Sequence, residues 1–192
     1  MSEQTGEITP FRLKKNILQY NGRKFDFRVD RLELPHGVEG EYSYIKHPGA
    51  ALAVPITQDQ KFVLVKQYRF PLQRYLLEFP AGTLEIDEAP DYTIKRELEE
   101  ETGFCAHSWQ KLGSFYICPG YSDEVIHAYL AEDLEKLEHP PAQDDDEEIE
   151  VVILDRQELA KIIQGGEAAV NLDAKSITAF YLAIAQLDGR SN

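Results

Sequence analysis

One stretch constrains the fold of this chain more tightly than any other, the segment from Pro90 to Gly103. Pro90 suits a first helical position, Asp91 adds negative charge to the first turn, and Gly103 stands where a helix stops. The helix so predicted carries Glu97 and Glu101 one turn apart, with Glu100 also a neighbour of Glu97. Three like charges on adjacent turns repel, and an isolated helix would be destabilised by them. A divalent cation among them removes that cost, and a hard cation such as Mg²⁺ takes oxygen ligands of this kind while keeping some of its waters. Arg96 lies four residues before Glu100 and beside Glu97, so its planar fork can orient one carboxylate and leave the others for metal. Glu88 precedes the helix by a turn and can tie down the loop that begins at Gly82, while Ile94 and Leu98 share the face that meets the core. Most Glu-rich helix faces are solvated surface; here the spacing argues for a metal site.

On both sides of this helix the chain reads as strands. Phe11–Leu13 and Ile17–Tyr20 precede Asn21-Gly22, a strong hairpin signal, and Phe25–Val29 alternates strictly. The phase then slips to Leu32 and Leu34, which predicts a bulge or a bend before Pro35-His36-Gly37, and a third strand is expected over Glu41–Lys46. A sheet of three strands with one apolar face must cover something, either the rest of the chain or a second subunit. His47-Pro48-Gly49 is the expected boundary, dividing the chain into 1–47 and 48–192. Further strands are predicted at Ala50–Ile56, Lys61–Arg69, Tyr75–Phe79, Gln110–Ile117, Glu124–Ala131 and Glu148–Leu154. The polar stretch Glu132–Glu147, with Pro140-Pro141, reads as a loop. Two helices close the chain. One begins at Asp155 and ends at Gly165-Gly166; the other is capped by Asn171 or Asp173 and aligns Ile177, Phe180 or Tyr181, and Ile184. The pattern is mixed α+β, without an internal repeat.

Composition removes several function classes. Lysine plus arginine number 20 against 34 aspartate plus glutamate, a net charge of −14, so broad phosphate neutralisation on a nucleic acid is not expected. A chain this acidic that handles phosphate needs a metal between the two negative partners. No apolar run approaches the roughly 18 residues of a membrane span. The Met1–Glu7 segment lacks the pattern of a signal peptide, so a soluble cytoplasmic protein without a membrane partner is expected. Two cysteines, Cys105 and Cys118, are too few for a disulfide framework and read as buried free thiols. His36, His47, His107, His127 and His139 show no metal-ligand spacing. Trp109 reads as a core anchor, and Phe25, Phe27 and Tyr44 as sheet core rather than a platform for a base.

Read as a whole, the segment is Gly82, five residues, Glu88, seven residues, Arg96-Glu97-Leu98, one residue, Glu100-Glu101, one residue, Gly103-Phe104. It resembles the complete Nudix box of the Nudix hydrolases, with no departure from that pattern. The resemblance implies an α/β/α sandwich with a mixed sheet over 48–192, preceded by the small antiparallel N-terminal sheet. It further implies Mg²⁺, with Mn²⁺ as the alternative, held by Glu97, Glu101, Glu100 as ligand or water-holding neighbour, and the carbonyl of Ala81.

Gln67-Tyr68-Arg69 followed by Leu77-Glu78-Phe79-Pro80-Ala81-Gly82 resembles the ADP-ribose pyrophosphatase branch, with Phe79 where Leu or Val is commoner. Tyr116–Glu124 is similar to the substrate loop of that branch, with Pro119 fifteen residues beyond Phe104; Asn171–Ser176 is also similar. The implied substrate-binding residues are Arg69, as a bidentate phosphate fork, with Glu78, Gly82, Thr83, Leu84, Pro119, Gly120 and Ser122. In this branch an acid in the loop before the last strand is the general base, which points to Glu147 with Glu148 in reserve.

The implied activity is Mg²⁺-dependent hydrolysis of ADP-ribose to AMP and ribose 5-phosphate by a homodimer formed through the N-terminal sheet. The alternatives are another nucleoside diphosphate sugar (GDP-mannose or UDP-glucose) and, in a different class, a module that senses ADP-ribose without turnover. The intact box argues against the sensor, and the acidic balance against an RNA 5′-end hydrolase.

Overall fold

The structure is a computed structural model that describes residues 11–142, 148–165 and 171–190. The chain falls into two units, 11–48 together with 118–124, and 49–117 together with the remainder. The sequence boundary leaves 118–124 with the second part; in the structure this segment clusters with the first.

The first unit is an antiparallel sheet of β1 (Arg12–Asn21), β2 (Asp26–Glu33) and β3 (Glu39–Lys46), in that order. The hairpin after Asn21 closes where the Gly22 N–H donates to the Phe25 carbonyl at 3.0 Å. The expected register slip is present, but β1 carries it, between Leu13 and Lys15 and again between Asn16 and Leu18, while β2 pairs with β3 unbroken. Asp30, buried on β2, accepts from Asn16 Nδ2 at 2.9 Å and from the Tyr44 hydroxyl at 2.8 Å. Segment 118–124 is held by Ile45 N–H to the Tyr121 carbonyl (2.8 Å), by His47 N–H to Asp123 Oδ1 (2.8 Å), and by the Lys46–Asp123 ion pair. Phe25 and Phe27 are exposed and so do not form a sheet core within the chain.

The second unit contains β4 (Ala50–Pro55), β5 (Phe62–Arg69), β6 (Arg74–Glu78), β7 (Ala81–Thr83), α1 (Pro90–Thr102), β8 (Phe104–Tyr116), β9 (Val125–Lys136), β10 (Ile149–Leu154), α2 (Arg156–Gln164) and α3 (Ala174–Gly189). One sheet runs β7-β4-β9-β8 and the other β10-β5-β6. The β4–β9 pair is parallel and the remaining pairs antiparallel, which makes the larger sheet mixed.

Every residue of β4 is buried, so it reads as a continuous apolar run and not an alternating one. Its two faces nonetheless differ. Leu52 and Val54 join Phe62, Leu64, Phe79, Leu130, and Leu159 and Phe180 of the C-terminal helices. Ala51 and Ala53 meet Ile94 and Leu98 of α1, with Tyr129 and Ala131 of β9. Helices therefore cover both faces, an α/β/α sandwich.

Gly103 ends α1 in the left-handed conformation at φ 67°, its N–H returning to the Glu99 carbonyl at 2.9 Å. Asp155 and Glu158 form a reciprocal capping box on α2, and Asp173 caps α3 through the Ser176 N–H. Ala81–Thr83 is a short strand that the sequence reading does not contain, and two expected strands differ by more than two residues at one end. β8 begins at Phe104 instead of Gln110, and β9 continues to Lys136 where composition reads as loop. The ladder Phe104↔Lys136, Cys105↔Glu135, Ala106↔Leu134 explains both, because an edge strand tolerates polar side chains on its wet face. Cys105 and Cys118 are half-buried thiols in different units. Trp109 packs on Tyr129 and donates its indole N–H to the Ala106 carbonyl. No helix among the described residues is long and apolar enough to cross a membrane.

Candidate active site

Strand β7 brings Ala81 and Gly82 against β4, paired with Leu52 and Ala51, and α1 lies beside it. Glu101 is buried (5% exposed) and accepts from the Ala81 N–H at 3.1 Å. Glu97 lies directly over Gly82, and a Cβ on Gly82 would overlap its carboxyl group. The glycine is therefore required by close approach and not by a special backbone angle.

Arg96 Nη1 reaches Glu97 Oε1 at 2.9 Å and Glu100 Oε2 at 3.0 Å, and Nη2 reaches Glu88 Oε2 at 3.5 Å. The guanidinium therefore spans three carboxylates, where sequence reasoning gave it one. Burial alone would lower the Arg96 pKa, but the charges of Glu97, Glu100 and Glu88 outweigh it and raise it. Glu88 also accepts from Thr93 Oγ1 at 2.7 Å and the Glu85 N–H at 3.3 Å, tying the loop after Gly82 to the helix. Burial pushes the Glu88 pKa up, but the Thr93 and Glu85 hydrogen bonds and Arg96 bring it below the ordinary value.

Glu97, Glu100 and Glu101 fit a hard divalent cation. Their donors are all oxygens, Glu101 meets the Ala81 N–H, the absence of a side chain at Gly82 leaves the space in which the Glu97 carboxyl sits, and Glu100 is linked to Glu97 through Arg96.

Next to this cluster stands a second buried charge group. Arg69 donates Nε to Glu78 Oε1 (2.6 Å) and Nη2 to Oε2 (2.7 Å), and Lys175 joins both Glu78 and Asp173. Glu78 is 2% exposed. Burial opposes its ionisation, but the hydrogen bonds from Arg69 and the charges of Lys175 and Arg69 hold its carboxyl far below the usual range. The two-pronged edge of Arg69 is thus committed to Glu78, not free as a phosphate fork; its Nη1 edge is not used by Glu78. Sequence reasoning missed Lys175, although the Asn171–Ser176 similarity contains it.

Thr83 ends β7 opposite Ala50. Leu84 packs into the cluster beneath α1, and its N–H donates to the Gly49 carbonyl at 3.0 Å. Glu148 is exposed ahead of β10 and accepts from the Tyr75 hydroxyl at 3.3 Å, and Glu147 lies outside the described residues. Pro119, Gly120 and Ser122 belong to the first unit, where Ser122 is buried and accepts from the Glu124 N–H at 3.2 Å.

The family model of the NUDIX domain matches residues 46–174. This chain belongs to the Nudix family. Its segment from Gly82 to Phe104 is a folded Nudix box.

An ADP-ribose pyrophosphatase of Bacillus subtilis (strain 168) is 40% identical over 168 residues, 88% of each chain. A methanol dehydrogenase activator of Bacillus methanolicus is 41% identical over 145 residues, 76% of this chain and 78% of that one. A GDP-mannose pyrophosphatase of Cronobacter sakazakii is 33% identical over 142 residues, 70% of this chain and 72% of that one. A crystal structure of an ADP compounds hydrolase shares the fold, with a TM-score of 0.82 at 22% identity over 97% of this Nudix chain and 98% of that one.

Proposed function

We propose that this chain hydrolyses the diphosphate bond of ADP-ribose to AMP and ribose 5-phosphate with Mg²⁺, or Mn²⁺, as cofactor. The observation that carries the reading is an intact Nudix box folded with Glu97 and Glu101 against Ala81-Gly82 and with Arg96 bridging Glu97 to Glu100, in a chain 40% identical to the B. subtilis pyrophosphatase over most of its length. Glu97, Glu101, Glu100 and the Ala81 carbonyl would hold the ion. When bound, it supplies neutralisation of the diphosphate charge and acidifies water. Arg96 keeps the glutamates in position. Glu78 and Lys175 fix the Arg69 side chain so that its open edge meets a substrate oxygen without reorganisation. Gly82, Thr83 and Leu84 line the diphosphate, and Glu147 or Glu148 takes the proton from attacking water. The N-terminal sheet (1–47) serves as the homodimer surface ahead of the hydrolase domain (48–192). Support for that comes from its exposed Leu13, Ile17, Leu18, Tyr20 and Phe27.

The deciding experiment measures phosphate release, coupled to alkaline phosphatase, from ADP-ribose, GDP-mannose, UDP-glucose and NADH in the presence of Mg²⁺. A clear preference for ADP-ribose is expected, with loss of turnover in Glu97→Gln and Glu101→Gln proteins that remain folded. Preference for GDP-mannose would favour the second reading, which the C. sakazakii relative supports. Wild-type rates in the glutamine variants would overturn the metal assignment.

A further inference from the structure

A second cluster of metal-binding side chains lies outside the box. The Cys105 thiol, a His107 ring nitrogen and a Glu135 carboxylate oxygen all lie within 4.8 Å of one another. We infer that these three residues form a second metal site, selective for a borderline-soft divalent cation of the zinc type.

The arrangement follows from strand geometry. Residues two apart on a strand project to one side, which places Cys105 beside His107 on β8. Glu135 stands directly opposite Cys105 in the β8–β9 ladder. No linear spacing reveals such a site, because its third ligand comes from another strand.

The donor set differs from that of the box. Thiolate, imidazole and carboxylate together suit zinc-like ions, whereas three carboxylates suit Mg²⁺. A tetrahedral ion with bonds of about 2.0–2.3 Å needs donor separations of about 3.3–3.8 Å. His107 Nε2 and Glu135 Oε2 are already 3.0 Å apart, so rotamer adjustments suffice to surround an ion.

The surroundings agree. Cysteine ordinarily seeks full burial, yet Cys105 is only half-buried on an edge strand, next to an exposed histidine and an exposed carboxylate. As a mere ion pair, so exposed a His–Glu contact would contribute little. A solvent-open cleft of about 310 Å³, lined by Lys95, Glu99, Ala106, His107 and Trp109, gives an ion access from the His107 side. Three protein ligands leave a fourth position for water. An ion here ties β8 to β9 immediately beyond the end of α1 and favours the folded state by mass action.

The test uses the full-length protein titrated with Co²⁺ as a spectroscopic substitute for Zn²⁺. With Mg²⁺ in excess to occupy the box, the expected result is one equivalent bound with a sulfur-to-cobalt charge-transfer band, displaced by Zn²⁺. The band should persist in Glu97→Gln and Cys118→Ser, vanish in Cys105→Ser, and require at least tenfold more Co²⁺ in His107→Ala and Glu135→Gln. These last two positions are exposed, so both variants should fold even if Cys105→Ser does not. With Mg²⁺ in excess to occupy the box, Zn²⁺ should raise the Tm of wild type further and not that of His107→Ala. Absence of a thiolate band at one equivalent, its survival in Cys105→Ser, its dependence on Cys118, or wild-type affinity in both His107→Ala and Glu135→Gln would overturn the assignment.

Discussion

Gly82→Ala tests the site at the point where the backbone of β7 and the carboxylate of α1 come closest. No left-handed backbone angle is needed at Gly82, so alanine is conformationally acceptable there and removes unfolded-chain entropy, a gain of about 0.4–1 kcal/mol. Against that stands the overlap of the new Cβ with the Glu97 carboxyl, a form of overpacking that costs about 1–3 kcal/mol. The net destabilisation should be at most about 2.6 kcal/mol, or roughly 5–10 °C in Tm for a chain of this length. To reach ordinary contact distance the Glu97 side chain must retreat by on the order of 1 Å, and it then leaves Arg96 as well. Misplacement of a catalytic group by that amount costs on the order of 10²-fold in rate. The assay compares kcat/KM with Mg²⁺ for wild type, Gly82→Ala and Glu97→Gln, on the best substrate of the panel, alongside thermal denaturation. A folded Gly82→Ala protein within about threefold of wild type would refute the argument that Gly82 exists to admit Glu97.

Arg96→Ala should lower activity about 10–100-fold, the usual effect of removing a residue that orients metal ligands. It should also enlarge the rise in Tm on adding Mg²⁺, because the ion then becomes the main relief of repulsion among Glu88, Glu97 and Glu100; an unchanged shift would contradict this. Glu78→Gln should cost roughly 3 kcal/mol near neutral pH, since two cations lose a buried partner. Because the folded-state pKa of Glu78 lies below its unfolded value, this stabilisation is complete above about pH 4.3 and is lost as pH falls further, so denaturation curves of variant and wild type should converge in acid. Asp155→Ala removes the capping box of α2 and should cost about 1 kcal/mol, some 2–4 °C in Tm, with turnover unchanged.

The box was legible because its chemistry is local. A helix delimited by Pro90 and Gly103 puts Glu97, Glu100 and Glu101 together whatever surrounds it. The same holds for Asp155, Asp173 and the hairpin after Asn21, all governed by neighbours a few residues away. What stayed hidden depends on pairing over long distances. The stretch Glu132–Lys136 has the composition of a loop, and only its ladder with Phe104–Ser108 makes it a strand. Arg69 reads as a free phosphate fork until β6 supplies Glu78 and α3 supplies Lys175. The grouping of Cys105, His107 and Glu135 arises in the same way, from two strands that meet only in the folded sheet.

The two alanines of β4 have a consequence for tuning the active site. Ala51 and Ala53 are fully buried beneath α1, and Ala51 is also the ladder partner of Gly82. Their methyl groups act as a shim between the sheet and the carboxylate-bearing helix. One or two extra methylenes there would lift Glu97 and Glu101 away from Ala81-Gly82 without altering any residue that touches ion or substrate. The reach of the box carboxylates is therefore set by side-chain volume in the layer between helix and sheet, and that layer offers a way to grade activity in small steps.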